Sequence, residues 1–327
     1  MNRVDVTIIG GGPVGLFGSF YAGLRGMSVR IIDSLPELGG QLTALYPEKY
    51  VYDMPGFPKV LAKDLAAELI AQGTQFEPEL CLNTTAERLE KDDEGYTIFD
   101  GKANALPTRT IIIAAGNGSF SPTKIGVERE QEFEEKGFVH YGVRQKEIFR
   151  GKRLAIVGGG DSAFDWALNL NDVADEIHIV HRRDQFRAHE ETVDQVKKLG
   201  VQFQLWQVVK ELHGNGRLDQ ILLENTQSKE VRVMAVDHVI VNIGFKSSLG
   251  PLKDWGLTIE KNQIVVNHQF ETPIPNVFAV GDVCSFDGKL KLIATGVGEA
   301  ATAVCMAKTR IDPSAKLFPG HSSDLDL

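Results

Sequence analysis

The chain has 327 residues, 43% of them hydrophobic and 24% charged, with a formal net charge of −9. That make-up belongs to a globular protein long enough for two domains, and it argues against a disordered chain and against general nucleic-acid binding. Apolar runs such as TIIIAA at 110–115 are strand-sized, so no membrane span is expected, and the first apolar strand starts at Val4, which leaves no room for a secretory signal. Cys81, Cys284 and Cys305 are far apart, with neither a C-x-x-C nor a metal-ligand spacing. They suit a reducing cytoplasm and point to no metal site.

VTII at 6–9 reads as a buried strand and runs directly into GGGPVG at 10–15, after which a helix is expected. Gly10, Gly12 and Gly15 make a G-x-G-x-x-G between strand and helix. The first glycine serves the tight turn, the second lets backbone approach a pyrophosphate, and the third lets helix pack on strand. Asp33 ends the next apolar run, VRIID at 29–33, where its carboxylate can accept both hydroxyls of an adenosine ribose. The pattern predicts an adenine dinucleotide on the helix N-terminus.

Beyond Asp33, residues 34–58 are punctuated by glycine and proline and carry aromatics without periodicity. KDLAAELIAQ at 63–72 has helical spacing, and 80–99 reads as antiparallel strands about the DDEG turn at 92–95. TIIIAAG at 110–116 is another buried strand, and the polar segment 117–122 after it marks a domain boundary. The pattern then repeats. LAIV at 154–157 leads into Gly158-Gly-Gly160-Asp161-Ser162-Ala163, with alanine in place of the third glycine. At the register where Asp33 follows the first motif stands His181, followed by Arg182, Arg183 and then Arg187. A carboxylate there would repel a 2′-phosphate, whereas guanidinium groups hold one through charge-assisted bonds, so the second site is expected to take NADP(H). DHVIVNIG at 237–244 closes this second unit. At 272–282, TPIPNVFAVGD returns to the first, and Gly296 reads as the start of a helix. The chain from 312 onward reads as an extended tail.

These motifs resemble the thioredoxin-reductase-like flavoproteins, and GGQL…LYPEKY at 39–50, GGGDSAFDWA at 158–167, HRRDQFRAH at 181–189 and PGHSS at 319–323 look like their bacterial ferredoxin–NADP⁺ reductases. That family's relatives with a redox C-x-x-C carry it just before the second glycine motif, where this chain has FVHYGVRQK at 138–146 and no cysteine. The resemblance implies an α/β fold with two Rossmann-like domains: an FAD domain from 1–117 and 248–327, with an NADPH domain, 118–247, inserted into it. It implies FAD contacts at Asp33, Gln41, Tyr46, Ala86, Phe120, Asp282 and Ser323, added to the glycines of the first turn. Tyr46 is implied to stack on one flavin face and His321, from the partner subunit's tail, on the other, with Ser323 near N5. The NADPH set is Gly158, Gly160, Asp161, Ser162, His181, Arg182, Arg183 and Arg187. On residues alone, a loop tyrosine reads as partial core and a near-terminal histidine as exposed. The implied protein is a cytoplasmic homodimer that passes electrons between NADPH and ferredoxin or flavodoxin, with no acid–base residue and no metal. Two other readings stay open: a flavoprotein reducing a disulfide or oxygen, and a non-catalytic NADPH-sensing flavoprotein.

Overall fold

Runs of β-branched residues flanked by glycine build the sheet of the first unit. In the computed structural model, which describes residues 2–143 and 145–320, β1 (Val4–Ile9) and β2 (Val29–Ile32) lie side by side in parallel, Val6 opposite Val29. Pro13 opens the crossover helix α1 (Pro13–Leu24), where its missing N–H costs nothing. Parallel strands covered on both faces are apolar throughout, and all four residues of β2 are buried. Arg30 is among them, its guanidinium fully buried and donating to the carbonyls of Asn2 and Pro107 and to Glu79.

The sheet is completed by β3 (Glu79–Cys81), β4 (Ala86–Asp92), β5 (Gly95–Asp100) and β6 (Ala105–Ile113), in the order β3-β2-β1-β6-β5-β4. The returning strand Val277–Ala279 pairs in parallel with β6. The antiparallel reading of 80–99 therefore holds only from β4 onward, because Glu79–Cys81 pairs in parallel with β2 and is set apart by a turn in which Asn83 takes φ 49°. Helix α2 (Ala62–Gly73) buries Leu65, Ala66 and Leu69 at helical spacing. The C-terminal helix spans Ile293–Ile311, starting one turn before Gly296. Gly296 N–H already donates to the Leu292 carbonyl, and the Thr295 hydroxyl lies 3.0 Å from that same oxygen. Gly296 is thus a packing position inside the first turn, where a Cβ would lie 2.5 Å from Val14 Cγ2.

By their contacts, residues up to Ala44, Tyr50–Phe120 and the chain from Ser247 form this first unit, while Leu45–Lys49 and Ser121–Lys246 form the second. The second has its own parallel sheet, from β7 (Val139–His140), β8 (Arg153–Val157), β9 (Glu176–His181) and β10 (Gln202–Leu205). After it come the antiparallel strands β11 (Gln207–His213), β12 (Gln220–Asn225) and β13 (Val231–Ala235), and then β14 (His238–Val241), giving the order β7-β14-β8-β9-β10. Helix α3 (Asp161–Leu170) buries Phe164, Trp166, Ala167 and Leu170 in the core of this unit.

A part-buried histidine pair borders that core. His140 Nε2 and His238 Nδ1 are 3.0 Å apart, so one ring donates its proton to the other, and Phe149 packs edge-on against both. Burial, reinforced by His238, pushes His140 from its ordinary 6.5 down to about 4. Burial also lowers His238, against the pull of Asp237. Between those two pH values the unfolded chain binds more protons at His140 than the folded one, so stability rises with pH through the window and is lost as pH falls from about 6.5 to about 4. At 1.36 kcal/mol per pKa unit this amounts to about 3 kcal/mol. His140→Gln, which keeps a hydrogen-bonding group but cannot charge, is expected to narrow the difference in urea-unfolding free energy between pH 7.5 and pH 4.5 by about 2–3 kcal/mol. Equal acid losses in the two proteins would rule the pair out as an acid-labile element.

Candidate cofactor sites

β1 delivers the chain into the first glycine turn. Gly10 takes φ +110°, a conformation that disfavours any side chain, and its N–H donates to the Ile32 carbonyl. A Cβ on Gly15 would lie 1.9 Å from the Gly10 carbonyl oxygen, so helix α1 reaches the turn only because that position is bare. At Gly12 a Cβ would meet nothing nearer than the Gly40 Cα at 3.8 Å, which leaves the turn open to a ligand. Asp33 stands behind it, buried, with Oδ2 accepting the Gly11 N–H at 2.6 Å and Oδ1 the Leu35 N–H at 2.8 Å. Burial pushes its carboxyl up, and the two N–H groups pull the other way.

Other predicted residues gather in the same unit. Gly39 N–H donates to the Gly11 carbonyl, which seats Gly40 against the turn, and Gln41 then opens the short helix Gln41–Ala44. The Gln41 amide nitrogen is 3.4 Å from where a Cβ on Gly116 would be. Ala86 is buried at the start of β4. Asp282 sits half-buried in the turn Gly281–Val283, its carboxyl pushed up by burial and drawn down by Lys289 and Lys291. The open glycine turn, the carboxylate behind it and this second carboxylate are features that fit a bound FAD.

The remaining predicted FAD residues are Tyr46, Phe120, His321 and Ser323. Tyr46 lies in Leu45–Lys49, which groups with the second unit, where Lys49 Nζ is 2.7 Å from Asp165 Oδ2. Phe120 falls in the short strand Ser119–Pro122. His321 and Ser323 lie outside the described residues.

The second turn carries the opposite charge. β8 ends at Val157, and a Cβ on Gly160 would find nothing within 4 Å. Asp161 begins α3 and accepts the His189 N–H at 3.0 Å, while Ser162 follows it, exposed, in the first helical turn. The His181 ring covers Gly159, where a Cβ would lie 2.4 Å from its Cε1, and Nε2 is 3.1 Å from the Gln185 carbonyl. Burial lowers its pKa, and Arg182 and Arg183 lower it further. Arg187 is tied in through its backbone N–H to the Gly159 carbonyl at 2.7 Å. Arg182, Arg183 and Arg187 are all exposed, and none forms an ion pair among the described residues. The Asn242 backbone carbonyl lies beside Gly158, and its side-chain Oδ1 is buried without a hydrogen-bond partner. Three uncommitted guanidinium groups following an open glycine turn fit a phosphorylated dinucleotide.

The cysteines are all free, and Cys284 and Cys305 are buried. Burial pushes Cys284 up to about 12 and raises Cys81 as well. Sequence reasoning passed over Asn242, Lys289 and Glu299, whose positions beside the turns depend on tertiary packing and carry no local signature. Among the described residues no helix is long and apolar enough to cross a membrane.

Residues 4–305 match the family model of pyridine nucleotide-disulphide oxidoreductases. The chain is 52% identical to ferredoxin–NADP reductase 2 of Shouchella clausii, covering 99% of this chain and 98% of that protein. It is 50% identical to a ferredoxin–NADP reductase of Geobacillus thermodenitrificans, with the same coverage. Among solved structures it resembles T. acidophilum thioredoxin reductase, with a TM-score of 0.78 at 25% identity over 95% of this chain and 99% of the other. Lactococcus lactis thioredoxin reductase gives 0.77 at 26% identity, over 94% and 99%. The chain belongs to the pyridine nucleotide-disulphide oxidoreductase family, in its branch of thioredoxin-reductase-like ferredoxin–NADP reductases.

Proposed function

We propose that the protein is a ferredoxin–NADP⁺ reductase that uses FAD and NADP(H), with FAD on the first unit and NADPH on the second. The observation that carries this reading is the charge reversal between two glycine turns of the same design. Asp33 backs the first, and Arg182, Arg183 and Arg187 stand uncommitted at the second. Relatives about half identical to this chain bear the ferredoxin–NADP reductase name. The cysteines support a one-electron acceptor over a disulfide: no C-x-x-C exists, and Cys284 is held as a thiol well above neutral pH.

When bound, FAD would supply the redox chemistry, coupling two-electron exchange with NADPH to one-electron exchange with ferredoxin or flavodoxin. The chain's own residues position and exclude. Gly10, Gly12 and Gly15 admit the pyrophosphate to the N-terminus of α1, and Asp33 and Asp282 accept ribose and ribityl hydroxyls. Gln41, Tyr46, Ala86 and Phe120 complete the FAD contacts, with Tyr46 against the flavin ring. Gly158, Gly160, Asp161 and Ser162 receive the NADPH pyrophosphate, while His181 and the three arginines take the adenosine end. No side-chain acid or base is needed. The protein is further read as a cytoplasmic homodimer in which His321 and Ser323 of one subunit's tail cover the other's flavin.

Coenzyme choice tests the arginine cluster. Arg182→Ala is expected to weaken NADPH binding by about one to two decades, the worth of a charge-assisted contact, and to leave NADH binding within about twofold. Equal Michaelis constants for the two coenzymes in the unmutated protein would overturn the assignment. The tail is tested by ending the chain after Pro319, which spares the bonds from Arg25 to the Lys316 and Leu317 carbonyls. Sedimentation and FAD content should be unchanged, while flavin absorbance and the stopped-flow rate of reduction by NADPH should both shift. If neither changes, His321 and Ser323 have no part in the site.

A further inference from the structure

Next to the FAD motif of the first unit is a buried ion pair to which the family reading gives no task. Lys289 and Glu299 are paired with both side chains only 6% exposed. The second oxygen of Glu299 accepts the Gly281 N–H at 2.7 Å, and the Cys284 thiol lies 3.5 Å from it and 3.2 Å from the Gly281 carbonyl. Gly281 has φ +75° and immediately precedes Asp282. A Cβ on Gly296 would lie 3.3 Å from the Gly281 Cα and 2.5 Å from Val14 of the first turn of α1. The first turn of α1, the Gly281 turn and the first turn of the C-terminal helix thus meet at one point, and Glu299 sits one helical turn beyond it.

A buried ion pair is a weak source of stability, since apolar residues of similar volume commonly do as well. What an apolar pair cannot do is accept a backbone N–H. The Gly281 N–H is buried, and an unmatched buried donor is costly. Here its acceptor is a carboxylate whose charge is matched by Lys289, the same cation that draws the Asp282 carboxyl down against the effect of burial. The charged and titratable groups acting on Asp282 are Lys289 and Lys291 on the preceding loop and Glu299 on the helix.

We propose that Glu299 and Lys289 are positioning residues for the flavin: Glu299, neutralised by Lys289, clamps the Gly281 N–H and so holds Asp282 in place to receive the ribityl chain of FAD. This rests on the reading of Asp282 as an FAD ligand.

The test is FAD titration of stripped protein by flavin fluorescence, run beside thermal unfolding of the same samples without FAD. Unmutated protein that binds no FAD would defeat the cofactor reading itself, separately from this inference. Glu299→Leu and Lys289→Met are each expected to weaken FAD binding at least about tenfold, and Lys289→Arg to stay within about threefold. The decisive protein is the double variant Glu299→Leu/Lys289→Met, which carries no buried charge, so that only the unmatched Gly281 N–H is expected to lower its unfolding temperature. A purely structural pair predicts that FAD affinity returns in the double variant. A positioning pair predicts that it stays at least about tenfold weak, because the Gly281 N–H still lacks its acceptor. An affinity within about twofold of the unmutated protein overturns the proposal. Amide exchange at Gly281 in the unmutated protein gives a second measurement that needs no variant. Protection with and without FAD is expected, and exchange at the rate of an open loop in stripped protein overturns the clamp.

Discussion

The bare α-carbon of Gly15 is the constraint on which the first unit depends. With no side chain there, α1 comes down onto the Gly10 carbonyl, so the end of β1 and the start of the helix are joined by a turn of a few residues. The helix N-terminus, with its unpaired N–H groups, is thereby set beside the end of β1. The second unit relaxes the same constraint slightly. Ala163 occupies the third position, its Cβ 3.2 Å from where a Cβ on Gly158 would be, and its N–H donates to the Gly160 carbonyl. In both units the first glycine N–H is taken by the neighbouring strand, Gly10 by Ile32 and Gly158 by Val180. What differs is how closely helix approaches turn.

On this shared frame, the residue ending the second strand decides the charge presented to the ligand. A carboxylate as buried as Asp33 persists because two backbone N–H groups point at it, which makes the acid part of the turn's own hydrogen bonding. Cations are handled differently. Arg182, Arg183 and Arg187 stay in water, where an unpaired guanidinium carries no desolvation cost, and the His181 ring packs over Gly159. A chain of net charge −9 can hold such a patch because screening confines it to its surroundings.

Both strand–turn–helix units were legible in the sequence because each is local: β-branched residues, glycines at fixed offsets and one polar residue at the next strand end. The misreadings fall where a segment's role depends on a distant partner. Leu80 lies on a strand that pairs with β2, although the nearby DDEG turn suggests a hairpin. Gly296 looks like a helix start, yet it is bare because Val14 and Gly281 press on it from elsewhere in the chain. Nothing near His140 announces His238 as its partner, and Glu299 in GVGEAATAV reads as an ordinary surface acid until Lys289 and Gly281 are seen against it.

Two buried ion pairs of the first unit show how context separates stability from positioning. The Arg30 guanidinium is fully enclosed, but its partner Glu79 remains 36% exposed, and its other bonds go to the Asn2 and Pro107 carbonyls. These contacts fasten the N-terminal segment and the β3 edge to the sheet, at the start of β2 and not at the end that Asp33 follows, so their consequence is the integrity of the sheet. Lys289 and Glu299 are buried on both sides, and the Glu299 carboxylate accepts a single N–H in a left-handed turn. Charges enclosed to that degree fit poorly with a purely stabilising purpose, since apolar packing achieves as much without desolvating either group. Their location at the meeting point of two helix first turns and the residue before Asp282 gives them a purpose in geometry.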